Sequence, residues 1–256
     1  QTGCARGLSR SYPSPVSDSS LPAARPHTKY TEEGRRMREV LTYSRRGSRF
    51  TPSQQESWDA HQHKWVIDEA QVDQPDFSLS TAFGRQAALI VEIGSGIGEA
   101  TAALAAARPE VNVLAFEVWA PGVAHTLGLL GEAGAENVRL VSVDAVWAMQ
   151  HLIGEGELEE LWTFFPDPWP KKRHHKRRLV TPDFVRLVAS RLRPGGVWRL
   201  ATDWAEYAEQ MSVVLDAEPA LDGGPVDRWP DRPITKFERK GRAADRTIHD
   251  FAYVRK

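Results

Sequence analysis

The chain has 256 residues, of which 41% are hydrophobic, so it can form one α/β domain with a packed core and a tail. The N-terminus lacks the layout of a secretory signal, and the chain has no run of about 18 apolar residues. The single cysteine excludes an internal disulfide and a multi-cysteine zinc site. We therefore expect a cytoplasmic protein that does not enter a membrane. The net charge of -1 excludes little, but residues 171–178 carry six fixed positive charges, enough to bind a polyanion locally.

Three regions differ in composition along the chain. Residues 1–28 are rich in Ser, Pro, Ala and Arg without apolar periodicity, which predicts a disordered tail. Residues 29–86 form an N-terminal extension with a basic and aromatic segment at 42–50. After this segment, Thr51 and Gln54 have the spacing of a capping box, and the intervening Pro52 favours a helix start.

Strands and helices alternate over residues 87–256, the third region. Five strands are predicted at 88–93, 111–116, 138–143, 161–165 and 196–201. Each precedes a helix, at 97–107, 119–131, 144–153, 182–192 and 203–215. A Pro- and Gly-rich loop is predicted over 218–233, with two final strands near 235–240 and 247–254. Repeated βα units predict an α/β fold with a doubly wound, mostly parallel, seven-stranded, Rossmann-like sheet.

An acidic residue lies in or directly after each of the five predicted βα strands. Ligands of such sheets bind beyond the carboxyl ends of the strands, so we expect these side chains at one edge. Five carboxylates there indicate a ligand with hydroxyl and amine groups. The residues are Glu92, Glu117, Asp144, Asp167 and Asp203.

A glycine-rich loop follows the first strand, with Gly94, Gly96 and Gly98. Glycines permit a tight turn and a close approach of a ligand to the backbone. The dinucleotide fingerprint has its third glycine one place later, where this chain has Glu99. A carboxylate there would also repel a pyrophosphate at the helix N-terminus. The spacing disfavours NAD, and a purely structural βα turn stays an alternative.

The acidic residues near this loop have candidate roles. Glu92 lies inside an apolar strand, where a carboxylate is costly unless paired, so an amine-bearing or cationic ligand would account for it. Glu117 is placed to accept from ribose hydroxyls, with helix N-terminal charge as the alternative. Asp144 either accepts from an adenine amine or caps the next helix. This series, over residues 88–150, resembles the class I S-adenosylmethionine-dependent methyltransferases.

A stiff loop with the sequence Phe-Pro-Asp-Pro-Trp occupies residues 165–169. Its prolines restrict the backbone around Asp167, which offers a fixed acceptor. Trp169 offers a face for base stacking, unless it is packed in the core. The following basic block is either a solvated helix face or a surface that neutralises phosphates. Its two histidines have no evident third or fourth ligand nearby, so no metal is expected.

Six segments together are similar to one family, the bacterial tRNA (guanine-N7)-methyltransferases. They extend from residue 45 to residue 238. The Pro-Asp-Pro-Trp loop with its basic continuation and the Thr-Lys-Phe-Glu segment are the most specific. The segments are 45–52, 91–98, 116–118, 164–178, 200–204 and 235–238.

The resemblance implies a role for each matched residue. S-adenosylmethionine, the methyl donor, would bind Glu92, Gly94, Gly96, Gly98, Glu117, Asp144 and Asp167. Asp167 would also lie nearest the reaction, as the candidate catalytic residue. The target guanosine, at position 46 in the tRNA variable loop, would contact Lys171, Asp203, Thr235, Lys236, Phe237 and Glu238. The tRNA would contact Lys172, Arg173, His174, His175, Lys176, Arg177 and Arg178, and the basic segment of the 29–86 extension would face it.

Two other functions stay open at this point. Exocyclic-amine nucleic-acid methyltransferases resemble Asp/Asn-Pro-Pro-aromatic at the same strand end, whereas here Asp167 separates the prolines. A non-catalytic RNA-binding protein could keep the fold, but the intact acidic and glycine series disfavours it. Either a monomer or a homodimer is compatible with the sequence.

Overall fold

The computed structural model describes residues 41–44, 46–72, 74 and 76–256, so the tail predicted at 1–28 lies outside the described residues. The described residues contain seven strands, and six of them overlap the runs that were predicted as strands. They are β1 Leu89–Ile93, β2 Asn112–Phe116, β3 Val138–Val141, β4 Leu158–Phe164, β5 Leu192–Thr202, β6 Leu221–Val226 and β7 His249–Arg255.

The seven strands form one sheet in the order β3-β2-β1-β4-β5-β7-β6. The neighbours from β3 to β5 are parallel, and β7 is antiparallel to both β5 and β6. The predicted doubly wound, mostly parallel, seven-stranded sheet is confirmed. The order reverses at β1, since β2 lies on one side of it and β4 on the other, and ligands bind in the crevice at such a point.

Helices cover both faces of the sheet. They are α1 Pro52–Trp65, α2 Glu69–Val72, α3 Leu79–Phe83, α4 Glu99–Ala107, α5 Ala120–Ala133, α6 Ala145–His151, α7 Pro182–Arg191, α8 Ala205–Asp216 and α9 Lys236–Ala243, with a 3-10 helix at Lys172–Arg177.

Strand β1 is buried on both faces, as its apolar run predicts. Ile90 packs in the core layer with α1, α4 and α5, while Val91 packs in the opposite layer with α7 and α8. Glu92 therefore points to the same face as Ile90, because side chains alternate along a strand. The Glu92 carboxylate therefore lies in a layer of mostly apolar side chains.

Helix α1 begins as predicted. The Thr51 hydroxyl accepts from the Gln54 amide at 3.3 Å, and the Gln54 side chain accepts from the Thr51 amide at 2.9 Å. The indole of Trp65 donates to the Ala135 carbonyl at 2.8 Å. This hydrogen bond anchors the end of α1 to the segment that follows α5. This helix fixes the N-terminal extension to the sheet domain.

Two predictions for the C-terminal part are wrong. Residues 218–233 are not only a loop, since β6 lies within them, and residues 235–240 are not a strand, since α9 begins at Lys236. Pairing with β7 places β6 in the sheet despite its Gly-Gly-Pro sequence. Thr235 caps α9, and this fits the capping-box spacing of Thr235 and Glu238.

Over the part of the chain that the structure describes, no helix has the length and apolarity to cross a membrane.

Candidate active site

A pocket opens at the carboxyl ends of β1, β2 and β4. The space between its walls, with the solvent at its open mouth included, is about 790 Å³. Apolar side chains form much of its wall, and a few polar groups converge on it, as expected for a ligand site. The apolar side chains include Ile93, Phe116, Val143, Phe164, Leu179 and Phe237. The polar and charged ones include Ser44, Arg46, Glu117 and Asp167.

The three predicted loop glycines have different surroundings. Gly94, at φ +74°, lines the pocket, and a Cβ there would meet nothing within 4 Å, so a ligand can approach its backbone closely. Gly96 also lines the pocket. A Cβ at Gly98 would lie 2.3 Å from the Thr126 hydroxyl, so this glycine permits the loop to pack on α5. Gly98 is not among the residues that line the pocket, and its contact with the donor stays a prediction.

Glu117 lies at the end of β2, where the sequence predicted a ribose acceptor. Its two oxygens accept from the Gly96 amide at 2.6 Å and from the Trp119 amide at 2.7 Å. Burial raises the pKa of Glu117, and the two amides and the nearby Arg46 oppose that shift. A carboxylate has about four acceptor positions, and the amides of Gly96, Trp119 and Val118 are the backbone donors that act on Glu117, so it keeps acceptor capacity for a ligand.

Glu92 lies in the layer behind the glycine loop rather than on the wall of the main pocket. Its carboxylate accepts a short hydrogen bond from the Thr101 hydroxyl. Burial raises its pKa to about 7, the Thr101 bond opposes the shift, and the charge of Glu117 adds to it.

A small recess opens beside Glu92, between the glycine loop and the start of α9. It is lined by Glu92, Gly94, Ser95, Thr235 and Phe237 among others. The Ser95 hydroxyl is buried there and has no hydrogen-bond partner among the residues that the structure describes. A buried hydroxyl without a partner is costly, and a polar ligand group in the recess would satisfy it.

Asp144, left with two alternatives by the sequence, caps α6. One carboxylate oxygen accepts from the Val146 and Trp147 amides at 3.0 and 3.1 Å. Its neighbours Val143 and Ala145 line the pocket, while Asp144 itself is 2% exposed. The capping role is observed, and the contact with adenine stays a prediction.

Asp167 lies on the pocket wall with 27% of its side-chain surface exposed, so a ligand can reach it. One oxygen accepts from the Ser44 amide at 2.7 Å, and the other lies 3.9 Å from the Arg46 guanidinium. The backbone before and after it is left-handed at Phe165 (φ 54°) and Trp169 (φ 45°). Such residues cost on the order of 1 kcal/mol each and cluster at active sites.

Residues 42–44 and 46, which we name the N-terminal strap, form one side of this pocket. The Trp169 indole donates to the Thr42 carbonyl at 3.1 Å. The Arg46 guanidinium lies 5.3 Å from the Trp119 ring centroid and 5.6 Å from that of Phe237. The sequence predicted that the basic segment 42–50 faces RNA, and it missed that part of it lines the pocket. The signal that could have indicated this position is the family resemblance at residues 45–52, which includes Arg46.

The basic block forms the 3-10 helix directly after the Pro-Asp-Pro-Trp loop, and none of the residues in this helix is buried. Arg177 lies over the Trp169 ring at 4.8 Å and His174 meets its edge, so one face of this indole is covered. Lys171 is exposed before the helix. The predicted RNA-contact residues 172–177 therefore present four lysine and arginine side chains and two histidines next to the pocket.

Arg178 corrects the predicted RNA surface, because it is 2% exposed. Its guanidinium donates to the Pro168 carbonyl at 2.9 Å and to the Gln210 side chain at 2.6 Å, and it lies over the Tyr207 ring. It anchors the loop to α8 and does not reach a phosphate.

The predicted guanosine-binding residues lie around α9. Thr235 and Phe237 line the recess, and Lys236 is exposed. Asp203 packs against Gly241 of α9, and its carboxylate pairs at 3.3 Å with Arg246, which follows that helix. Glu238 differs from the rest, because it is fully buried and bonded to arginines, so it does not face the pocket as predicted. No cluster of three or more metal-ligating side chains occurs among the described residues.

Comparison with known proteins agrees with this site. Residues 86–251 match the family described as "Putative methyltransferase". A tRNA (guanine-N(7)-)-methyltransferase of Nocardioides sp. is 66% identical over 91% of this chain and 94% of its own. One from Cutibacterium acnes is 50% identical over 85% of this chain and 84% of its own.

A solved structure, the 16S rRNA methyltransferase KamB, superposes with a TM-score of 0.51. It covers 72% of this chain and 97% of its own at 14% identity, a likeness that concerns the fold alone. The matches to the two relatives are closer than a shared fold alone would give, because 66% and 50% of the aligned residues are identical and the alignments extend over most of both chains. The chain therefore belongs to the bacterial tRNA (guanine-N(7)-)-methyltransferase family, a family of enzymes.

Proposed function

We propose that this chain transfers a methyl group from S-adenosylmethionine to N7 of a guanosine in tRNA, the one at position 46 in the variable loop. The position of Asp167 carries the proposal. It lies on the wall of the pocket at the carboxyl ends of β1, β2 and β4, and only five residues before an exposed cationic helix. A site for a small donor and a surface for a polyanion therefore meet at one residue.

The pocket fits the donor by the chemistry of its walls. Glu117 keeps free acceptor positions for ribose hydroxyls, and Gly94 leaves open space at the backbone. Ile93, Phe116 and Val143 offer an apolar wall for the adenine. Glu92 and the unsatisfied Ser95 hydroxyl suit the amine end of the donor.

The reaction needs positioning more than proton transfer. Bound S-adenosylmethionine supplies a methyl group on a sulfonium. Guanine N7 has an exposed lone pair and loses no proton when it is methylated, so a strong general base is unnecessary. The protein must hold N7 in line with the methyl carbon, at about 3–3.5 Å.

Asp167 orients the guanine. Its carboxylate can accept from N1–H and the N2 amine, which would select guanine over adenine and place N7 toward the donor. The negative charge also offsets the positive charge that develops on the methylated ring. The two prolines beside it limit its movement.

The target nucleoside lies between Asp167 and the start of α9, with Lys171, Asp203, Thr235, Lys236 and Phe237 around it. The rest of the tRNA contacts the 3-10 helix at Lys172–Arg177. Phosphate contacts of this kind position the RNA without reading its sequence. We place this activity in the cytoplasm.

Mapping the methylated atom tests the proposal. The purified chain is incubated with an unmodified tRNA transcript and labelled donor, and the product is treated with mild reductant and aniline. We expect strand scission at the guanosine of position 46. The control transcript has adenosine at that position.

Two outcomes would overturn the assignment. Methyl on an exocyclic amine would give no scission, and equal labelling of the adenosine transcript would exclude guanine recognition.

Asp167→Asn should lower kcat by about 10²–10³-fold. Its matched control is Asp183→Asn on α7, where the carboxylate is 94% exposed and pairs only with Arg186 among the described residues.

A further inference from the structure

A cluster of charged residues lies behind the pocket wall, and we name it the arginine clamp. It joins the loop after β6 to α9 and β7. Glu238 is 0% exposed, Arg232 1% and Asp250 7%. The clamp consists of Arg228, Arg232, Arg242, Glu238 and Asp250.

Arg232 is the centre of the clamp. One end of its guanidinium donates to Glu238 Oε2 at 2.7 Å, and the other donates to both oxygens of Asp250 at 2.8 and 3.0 Å. It thereby bridges α9 and β7 through two charge-assisted contacts. Fixed forks of this kind are a property of arginine that lysine lacks.

The same guanidinium contacts the pocket wall. It lies 5.3 Å from the ring centroid of Phe164 and 5.4 Å from that of Phe165. Both rings line the pocket, and Phe165 begins the left-handed turn that leads to Asp167. Cations over aromatic faces attract one another most strongly where water is absent.

Glu238 connects the arginine clamp to the first turn of α9. Arg228 donates to it at 2.9 Å and Arg242 at 2.6 Å, in addition to Arg232. Its amide donates to the Thr235 hydroxyl at 3.4 Å, three residues earlier. The helix start at Thr235 and Phe237 is therefore held by a carboxylate that no ligand reaches.

Stability alone does not account for this arrangement. A buried ion pair is on average no more stabilising than apolar residues of the same volume. Here one nitrogen of Arg232, Nε, is even buried without a hydrogen-bond partner in the described part of the chain. Its contacts with Phe164 and Phe165 end on the pocket wall. Its contact with Glu238 ends on α9, whose Phe237 lines the pocket, while Asp250 fixes the guanidinium to β7.

We infer that Arg232, through the arginine clamp, is a positioning residue that holds the Asp167 loop and the start of α9 in register around the target guanosine. The inference rests on the proposed function. It also changes the role of Glu238, which acts through the clamp and does not touch the guanosine.

Kinetics of matched variants distinguish the two roles of Glu238. Arg232→Met and Glu238→Gln should each lower kcat by about 10- to 100-fold, the effect of a small misplacement. The KM for tRNA should stay within about threefold, because the phosphate contacts lie elsewhere. Since both residues act as one unit, the double variant should be no worse than the poorer single variant. Arg232→Lys should recover only part of the rate.

The control is another buried carboxylate, Glu160, near the start of β4. It is 8% exposed and pairs with Arg108 at 2.7 Å and Arg199 at 3.2 Å. Four residues of strand, about 13 Å, separate it from Phe164. Glu160→Gln should lower the melting temperature as the clamp variants do, with kcat unchanged within about twofold.

Amide hydrogen exchange gives a readout that does not need methyl transfer. Arg232→Met should speed exchange in residues 163–170 and 233–243, and leave α4 at its wild-type rate. Failure of the wild type to methylate N7 would overturn the proposed function. The exchange pattern would still show whether Arg232 holds the Asp167 loop and the start of α9 in place.

Three results would overturn the inference. The first is wild-type kcat in Arg232→Met at a temperature where it is folded. The second is a loss in Glu238→Gln far larger than in Arg232→Met, which would mean direct contact of Glu238 with the guanosine. Uniform acceleration of exchange over the whole chain would also reduce Arg232 to a structural role.

Discussion

Glu92 and Glu238 are both buried glutamates, 3% and 0% exposed, with opposite surroundings. Glu92 accepts from the Thr101 hydroxyl, and no described lysine or arginine pairs with it; burial raises its pKa to about 7. Burial would also raise the pKa of Glu238, but hydrogen bonds and charges from three arginines lower it. A buried carboxylate without a cation marks a place for a ligand, whereas one with internal cations marks an element of the framework.

The largest expected effect is on stability, from loss of the paired carboxylate. Glu238→Ala leaves Arg232 buried beside Asp250 alone, so the free energy of unfolding should fall by about 3–5 kcal/mol. Urea unfolding at pH 8 measures it. Glu92→Ala, at the same pH, removes a carboxylate that has no cationic partner and should cost much less. An equal loss in the two variants would remove the distinction between the two glutamates.

The pH dependence of stability sharpens the contrast. Because the pKa of Glu92 is about 7 in the folded chain and 4.5 in model compounds, the folded state holds an extra proton between these values. The free energy of unfolding should fall as pH rises through this window, by at most about 3 kcal/mol, and level off above it. Glu238 has a lowered pKa, so its contribution is present above pH 4.5 and is lost as the pH falls below that value.

Urea unfolding of the wild type and Glu92→Gln at pH 5 and pH 8 checks this prediction. The difference between them should change across that range. A constant difference would mean that the Glu92 carboxyl titrates normally.

Donor binding provides the third test. If Glu92 holds the amine end of S-adenosylmethionine, Glu92→Gln should weaken donor binding by about 1.5–3 kcal/mol, the range of a charge-assisted hydrogen bond. Titration calorimetry at pH 8 measures the dissociation constant. Glu160→Gln is the matched control, and unchanged donor affinity in Glu92→Gln would assign that residue a purely structural role.

The smallest effect concerns exposed cations. Lys172→Ala with Arg173→Ala should weaken tRNA binding and lower the slope of log affinity against log salt by about 1.4 to 1.8, because two phosphate contacts are lost. Lys64→Ala on α1, whose ammonium pairs with Glu136, is the control. Arg178→Ala should instead destabilise the loop, since that guanidinium is buried. A salt slope unchanged by the double substitution would place the RNA elsewhere.

The sequence predicts the first half of the sheet domain well, for a physical reason. In β1 and β2 every residue is buried, and in β3 every residue except Arg139, so local pattern and tertiary environment agree. The end of each strand then places Glu117 or Asp144 near the pocket through parallel topology alone. The local sequence pattern is sufficient to predict the fold where each strand is followed by its own helix.

The second half depends on contacts between distant residues. Strand β6 contains Gly223, Gly224 and Pro225, which read as a turn, and it is a strand only because β7 lies beside it. Glu238 matched a binding motif, and its burial by Arg228 and Arg232 follows from packing that no local pattern encodes. The same holds for Arg178, which belongs to a charge run and is nevertheless inside.

The N-terminal strap has a practical consequence for designing shortened versions of this enzyme. The family match begins at residue 86, so a fragment cut to the matched region would look like a complete catalytic unit. It would lack Ser44, whose amide bonds Asp167, and Arg46, which lies between Trp119 and Phe237. Expression boundaries for functional work therefore belong upstream of residue 41.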